Sequence, residues 1–399
     1  DAMRETLNLW WDFDQDQAFA TASWDWLEIG GIPIQWIFGG EYREEAWNWD
    51  STFLPPANSE RDVLAFYFEA LLPLTRKFEL SLAGRYDDYS DWGDNFAPKV
   101  SARWRALDQL VFRASWGEGF RAPELTIGAE QTSEGVGWTN IDPQSCEVYE
   151  QPPGCWVPFL HVDTVSPALG PEQSEQYSIG LVWEPSVWFN LTIDYYNIQI
   201  EDKIQWMWPD LILVREQLDA PTPPGFESVR DPNSGALVSI RSGWGNFGYV
   251  ETSGMDLTLN VDFGLGPGRW SSNFLGSYGF EDVYDGYDFA GRSGVPQSRA
   301  TLSNRYDISD FTLVWNIHYI GSQDGDVPGY SEGRVPTWMT HDLQLNWRAP
   351  WNGDLALGAQ NAFNETPELD VGPIHGNRYN TQLYDAFGRI LYARYTQRF

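Results

Sequence analysis

The last twelve residues of the chain, Gly388 to Phe399, alternate side chain by side chain. Leu391, Ala393, Tyr395, Gln397 and Phe399 fall on one face of an extended backbone; Tyr392, Arg394, Thr396 and Arg398 fall on the other. A strand with one greasy and one charged face can serve a membrane-spanning barrel, where one face meets lipid and the other water. A soluble sheet edge shows the same pattern, so the rest of the chain must decide.

The rhythm recurs. Leu64, Phe66, Phe68 and Leu72 oppose Tyr67 and Glu69. Phe78, Leu80, Leu82 and Tyr86 oppose Glu79, Ser81, Arg85 and Asp87. Phe189, Leu191, Ile193 and Tyr195 oppose Asn190, Thr192, Asp194 and Tyr196. Met255, Leu257, Leu259, Val261 and Phe263 oppose Asp256, Thr258, Asn260 and Asp262. Residues 311–319 and 342–348 repeat it, with Trp315 and Trp347 on the apolar side. Each run lasts about ten residues, the length a tilted strand needs to cross a bilayer. The connections alternate. Tight ones at 30–33, 73–76, 106–108, 184–186, 264–268, 307–310 and 350–353 separate long ones at 50–59, 119–172, 203–245, 283–293, 324–336 and 364–387. Short turns at one rim and long loops at the other are the outer-membrane arrangement, with the long side outside.

The reading is therefore all-β: one antiparallel transmembrane β-barrel domain over 1–399, with 119–172 and 203–245 as long extracellular loops. About sixteen strands are predicted. An even number puts both ends at the short-turn rim, with residues near 2–14 pairing with residues near 388–399. Within 203–245, Pro209 to Leu218 reads as a short helix with Pro in its first turn, and Arg230 to Gly235 as a turn.

Composition agrees. The 399 residues include 22 Trp, 19 Tyr and 22 Phe, yet mean hydropathy is −0.42 and no eighteen-residue window is apolar throughout. That excludes a helical membrane protein and suits a barrel, in which only every second residue meets lipid and aromatic girdles mark the interfaces. A net charge of −32 makes nucleic acid an unsuitable partner. Cys146 and Cys155 lie in a Pro- and Gly-rich stretch with no metal pattern around them. A local disulfide outside the reducing cytoplasm accounts for them; two free thiols are the alternative. No signal peptide opens the chain at Asp1, which leads us to expect a processed or truncated chain.

Several stretches together resemble the TonB-dependent receptors of Gram-negative outer membranes. They are Glu41-Tyr-Arg-Glu-Glu45, Gly84 to Asp91 leading to Pro98-Lys99, and Arg113-Ala-Ser-Trp-Gly-Glu-Gly-Phe-Arg-Ala-Pro-Glu-Leu125. Glu172 to Gly180, Ser253 to Asp256 and Gln360-Asn-Ala-Phe-Asn364 follow in the family's order. The resemblance runs from about residue 34 to the end and covers the later part of a receptor barrel. It implies uptake of a scarce ligand such as a siderophore, cobalamin or a glycan, with lipid and the barrel-assembly machinery as partners. It also implies that Tyr395 and Phe399 belong to the assembly signal. Family members carry an N-terminal plug inside a 22-stranded barrel. Nothing in residues 1–33 looks like a plug, so coupling to TonB is not expected of this stretch. Ala362 stands where the family usually has Leu, and Gln397 where it usually has an aromatic.

Chemistry on the chain is sparse. No nucleophile elbow or HExxH occurs, no catalytic residue, metal ligand or cofactor is assigned, and no enzyme is expected. A hydrolase would need a Ser, a His and an acid converging at one rim. Carboxylates mingle with aromatics in the loops. Asp91 and Trp92, then Asp285, Tyr287 and Asp288, then Asp324 and Asp326 are candidates for holding a sugar or a cation; solvated turns are the alternative. Glu69, Arg85, Asp194, Asp256, Asp262, Asp342, Arg348 and Arg394 would line an interior, tolerable only if it is wet, plugged by polar protein or crossed by ion pairs. A passive, acidic, cation-favouring pore follows as one function. A truncated or designed structural barrel closed by its own loops is another.

Overall fold

The computed structural model describes residues 8–52, 56–128, 133–152, 154–324, 334–367, 379–381, 383–385 and 387–397. Six strands open the chain: β1 (Leu9–Ile29), β2 (Ile32–Ser51), β3 (Ala57–Thr75), β4 (Phe78–Tyr89), β5 (Gly93–Leu107) and β6 (Leu110–Arg121). A long excursion follows, holding α1 (Leu125–Gly128), β7 (Ser133–Ile141), α2 (Pro143–Val148) and β8 (Trp156–Val165). β9 (Glu172–Ser186) and β10 (Phe189–Met207) return to the sheet before a second excursion with α3 (Pro209–Gln217) and β11 (Glu227–Arg230). The remainder is β12 (Leu237–Leu265), β13 (Gly268–Tyr284), β14 (Tyr287–Asp288), β15 (Ser298–Ile308), β16 (Phe311–Ile320), β17 (Gln323–Asp324), β18 (Arg334–Val335), β19 (Trp338–Ala349), β20 (Gly353–Gln360) and β21 (Ile390–Gln397).

The main sheet has 19 strands. β7, β8, β11 and β14 belong to excursions beyond its rim, which leaves fifteen, among the described residues, in one antiparallel meander from β1 to β21. The expectation was about sixteen. Leu9 to Ile29 is a single strand whose register against β2 runs from Leu9↔Ser51 to Ile29↔Ile32 with one irregularity, between Trp24 and Leu27. No Gly or Pro interrupts Asp14 to Gln17, so nothing turns the chain there. The odd count makes β1 and β21 run in the same direction, with the described start at the long-connection rim and the described end at the short-turn rim. Two parallel strands cannot form an antiparallel seam. Among the described residues no ladder joins β1 to β21, so the expected pairing of the ends is not found there.

Alternation sorts the wall into two faces. The outer face is apolar and ends in aromatics at the short-turn rim, where Trp104 stacks on Phe112 at 5.7 Å, Phe311 on Trp347 at 6.3 Å and Trp183 meets Phe189 at 5.4 Å. A second band sits higher, linking Tyr177, Tyr195, Phe280 and Tyr278 at 5.4–6.1 Å. From Trp270 to Phe280 the strand rises about 33 Å, which at a tilt of ~40° gives roughly the 25 Å apolar height of an outer-membrane barrel. No helix among the described residues is long and apolar enough to cross a membrane; the crossing is made by strands.

The densest packing lies above the wall. Phe159, Met207, Ile212, Leu213, Phe226, Leu237 and Ile240 form one buried cluster, drawn from both excursions and from the first residues of β12. This cap is fastened covalently: Cys146 and Cys155 form a disulfide with Cα atoms 5.8 Å apart. α3 occupies Pro209–Gln217, as the Pro-led helical pattern predicts, and Asp231 to Gly235 make the expected turn.

Candidate functional site

Register pairs carry one face across the whole wall. Arg85 lies opposite Tyr67, Asp194 opposite Asp256, Asn316 opposite Asp342, Arg348 opposite Asp354 and Arg394 opposite Ala356. Followed strand by strand, Glu69, Arg85, Asp194, Asp256, Asp262, Asp342, Arg348 and Arg394 all share the face that turns away from the aromatic belts. Most of these charges are engaged. Arg113 Nε donates to Asp194 Oδ1 at 2.8 Å, in space that exists because Gly180 has no Cβ; one would lie 1.9 Å from Asp194 Oδ1. Arg85 Nε donates to Asp87 Oδ1 at 2.9 Å, and Ser81 Oγ donates to Glu69 at 3.3 Å. Arg269 pairs with Asp262.

A denser network fills this face on β2 to β4. Arg43 reaches Glu41 at 2.8 Å and Glu45 at 2.5 Å, and Arg61 reaches Glu45 at 2.6 Å. Arg61 also donates to the Pro123 carbonyl at 2.8 Å, which ties the first excursion back across the face. The sequence reading missed this network, although Glu41-x-Arg43-x-Glu45 carried its signal: alternating sign at period two puts opposite charges side by side on one face.

Near the long-connection rim the same face forms a cavity of about 800 Å³. β12 supplies Asp256, β15 Arg299, β16 His318 and β19 Trp338 and Asp342; Asp385 and Phe387 come from the connection between β20 and β21. His318 Nε2 stands 3.3 Å from Asp342 Oδ2. Asn361 N donates to the other Asp342 oxygen at 2.8 Å, which anchors the start of that connection. The Trp338 Nε1 donor is buried without a partner among the described residues. His318 escaped the sequence reading because Asp342 beside it sits on another strand, and Arg299 because the rest of the cavity comes from other strands. His341, beside Asp342 in sequence, points outward and stacks on Trp315 at 5.9 Å.

The loop carboxylates do not converge, and none of them lines the cavity. Asp91 lies 4.0 Å from Arg61, and Trp92 packs against the buried Ile127–Leu169–Ile204 cluster. Asp285 accepts from Tyr249 N at 2.8 Å and Asp288 from Asp282 N at 3.0 Å, while Tyr287 stands edge-on to Phe289 at 4.7 Å. Asp324 pairs with Arg334 across the short β17–β18 ladder. Asp326 and Phe399 lie outside the described residues. Tyr395 faces outward, its hydroxyl accepting from Trp351 Nε1 at 3.0 Å.

In the cap, Asp142 caps α2 by accepting from Ser145 N at 3.0 Å. Arg230 donates to Asp142 Oδ2 at 2.9 Å and to Glu216 Oε1 at 2.8 Å, joining α2, β11 and α3. Burial by itself would push the Asp142 carboxyl up; the hydrogen bonds from Arg230 and Ser145 outweigh it and hold the group below the usual carboxylate range. The hydrogen bond from Arg230 holds Glu216 low as well.

A model of the TonB-dependent receptor-like β-barrel matches residues 3–362. The chain belongs to this family. It is 21% identical over 360 residues to a probable TonB-dependent siderophore receptor, PirA, of Acinetobacter baumannii, covering 84% of this chain and 42% of that protein. The crystal structure of PirA from the same organism superposes with a TM-score of 0.65 at 17% identity, over 96% of this chain and 54% of the other. A structure of the ferric enterobactin receptor PfeA of Pseudomonas aeruginosa, in complex with enterobactin, superposes at 0.64 with 14% identity, over 96% and 54%. This chain therefore spans about half the length of these relatives. The family is one of outer-membrane receptors rather than of enzymes.

Proposed function

We propose that this wall serves ligand uptake, and that the 800 Å³ cavity receives an anionic part of the ligand, as an iron chelate would present. The observation that carries this reading is the placement of Arg299 and His318 in one cavity on the inward face of a chain with net charge −32. Among the described residues no carboxylate is in ion-pair contact with Arg299, so its guanidinium is available to an incoming oxyanion. The siderophore-receptor relatives support a chelate over cobalamin or a glycan. Lipid along the outer face, and assembly machinery reading Tyr395 and Phe399, belong to the same proposal.

A passive, cation-favouring pore has one observation behind it, the facing pair Asp194 and Asp256 on the inward face. Its difficulty is closure. An open edge in lipid leaves backbone groups unpaired at several kcal/mol each, and among the described residues no ladder joins β1 to β21.

Tryptophan-fluorescence quenching by ferric catecholate, ferric hydroxamate and cobalamin decides between ligands. Arg299→Ala should weaken the preferred chelate by ~10- to 100-fold, the worth of one charge-assisted hydrogen bond. Unchanged affinity in that variant overturns the assignment of the cavity.

A further inference from the structure

The cap contains a serine, a histidine and an acid in line. His161 on β8 is fully buried, and its Nε2 is hydrogen-bonded to Ser242 Oγ of β12 at 2.7 Å. Asp163 Oδ1 lies 3.3 Å from Nδ1, short of hydrogen-bond geometry. The arrangement has the order of a hydrolase triad, but Ser242 is also fully buried, so no substrate reaches its hydroxyl. A nucleophile must be open to the bond it attacks.

What the cluster does is hold a seam. β8 runs parallel to the first residues of β12, with Ile240 opposite His161 and Ser242 opposite Asp163. The strands approach so closely that a Cβ on Gly243 would lie 1.8 Å from the Thr164 carbonyl oxygen, and Gly243 takes a φ of +148°. The Trp138 ring packs on the imidazole at 4.5 Å, and Phe159 meets it edge-on at 6.4 Å. We propose that His161 is an acid-released latch, fastening β8 to the rim extension of β12 when neutral and freeing it when protonated.

The surroundings favour the neutral ring. Burial pushes the imidazole down from its ordinary range, and the Asp163 carboxylate offsets this only in part. The other charged groups nearby are Glu134 on β7 and Arg241 on β12. Both register with Val162 rather than His161, and so sit on the opposite face. With Asp163 at Nδ1, the favoured tautomer leaves Nε2 to accept from the Ser242 hydroxyl. A proton on Nε2 removes that acceptor and places a charge among aromatic rings. As pH falls through about 6.5, the opened arm binds a proton that the closed arm refuses, so closure loses stability.

The test is hydrogen exchange of the full chain in nanodiscs from pH 8 to 5, corrected for intrinsic rates. Peptides covering 156–165 and 237–244 should lose protection roughly tenfold per pH unit below the imidazole's free value, while β15 and β16 stay constant. His161→Gln should flatten the profile. If that variant does not fold, Asp163→Asn decides, because removing the carboxylate lowers the folded imidazole's proton affinity and must carry the loss further down in pH. A flat wild-type profile overturns the latch. So does a His161→Gln profile like that of the wild type, or an Asp163→Asn loss that reaches no lower in pH than it.

Discussion

Wall and cap are built from the same chain by opposite means. The wall has almost no core of its own. Its outer face leaves Phe66, Ile179 and Leu357 about half exposed, and its inner face is polar, so its strands are held chiefly by their ladders, and lipid on one side belongs to the proposed setting. The cap has only short ladders, β7 with β8, β8 with β12 and β11 with β12. It is held as well by a buried apolar cluster, a disulfide and an ion triad around the buried Asp142, the devices of a small soluble domain. Strands come to the bilayer with their hydrogen bonds paired by neighbours. In the cap, apolar burial supplies the driving force.

That contrast fails or sharpens under substitution. The largest effect is expected from Arg230→Ala, which leaves the Asp142 carboxylate buried without its partner. The cap should lose about 3–5 kcal/mol, read as exchange of residues 133–165, with the wall unchanged; an equal loss in both regions would mean that they fold as one unit. Ile240→Ala opens a cavity in the same cluster and should cost about 2–5 kcal/mol, whereas Leu313→Ala on the outer face leaves no cavity, and its cost should depend on whether lipid or detergent surrounds it. Leu257→Arg, on the outer face at mid-wall, should destabilise insertion by roughly 2–4 kcal/mol, measured by urea titration in liposomes; tolerance there would place lipid elsewhere. Reduction of Cys146–Cys155 should cost about 2.5 kcal/mol for so short a loop, again confined to the cap. The smallest effect is expected at the exposed Arg305–Asp307 pair, at most ~1 kcal/mol.

Acid separates the regions further. Asp142 and Glu216 are held low in the folded cap. Their contribution is present above the ordinary carboxylate range and is lost as pH falls through it toward their folded values. The cap should therefore show an acid transition below about pH 4, distinct from the loss expected of the His161 latch, which begins below the free imidazole value. Arg230→Ala should abolish the lower transition alone.

Period-two alternation was enough to read the wall from sequence. It put Glu69, Arg85, Asp194, Asp256, Asp262, Asp342, Arg348 and Arg394 on one face, because side-chain direction in a strand follows from position modulo two and needs no partner. The close spacing of Cys146 and Cys155 and the Pro-led α3 were legible for the same reason, since both are local. The extent of the first strand was not. Whether Leu9 to Ile29 is one strand or two depends on β2 continuing beside it for the whole length. The contacts that make sites were hidden as well. Arg113 and Asp194 are 81 residues apart, as are His161 and Ser242. Nothing in either segment records the other, so only the tertiary structure could join them: the wall by setting register across β6, β9 and β10, the cap by folding two excursions over one apolar cluster.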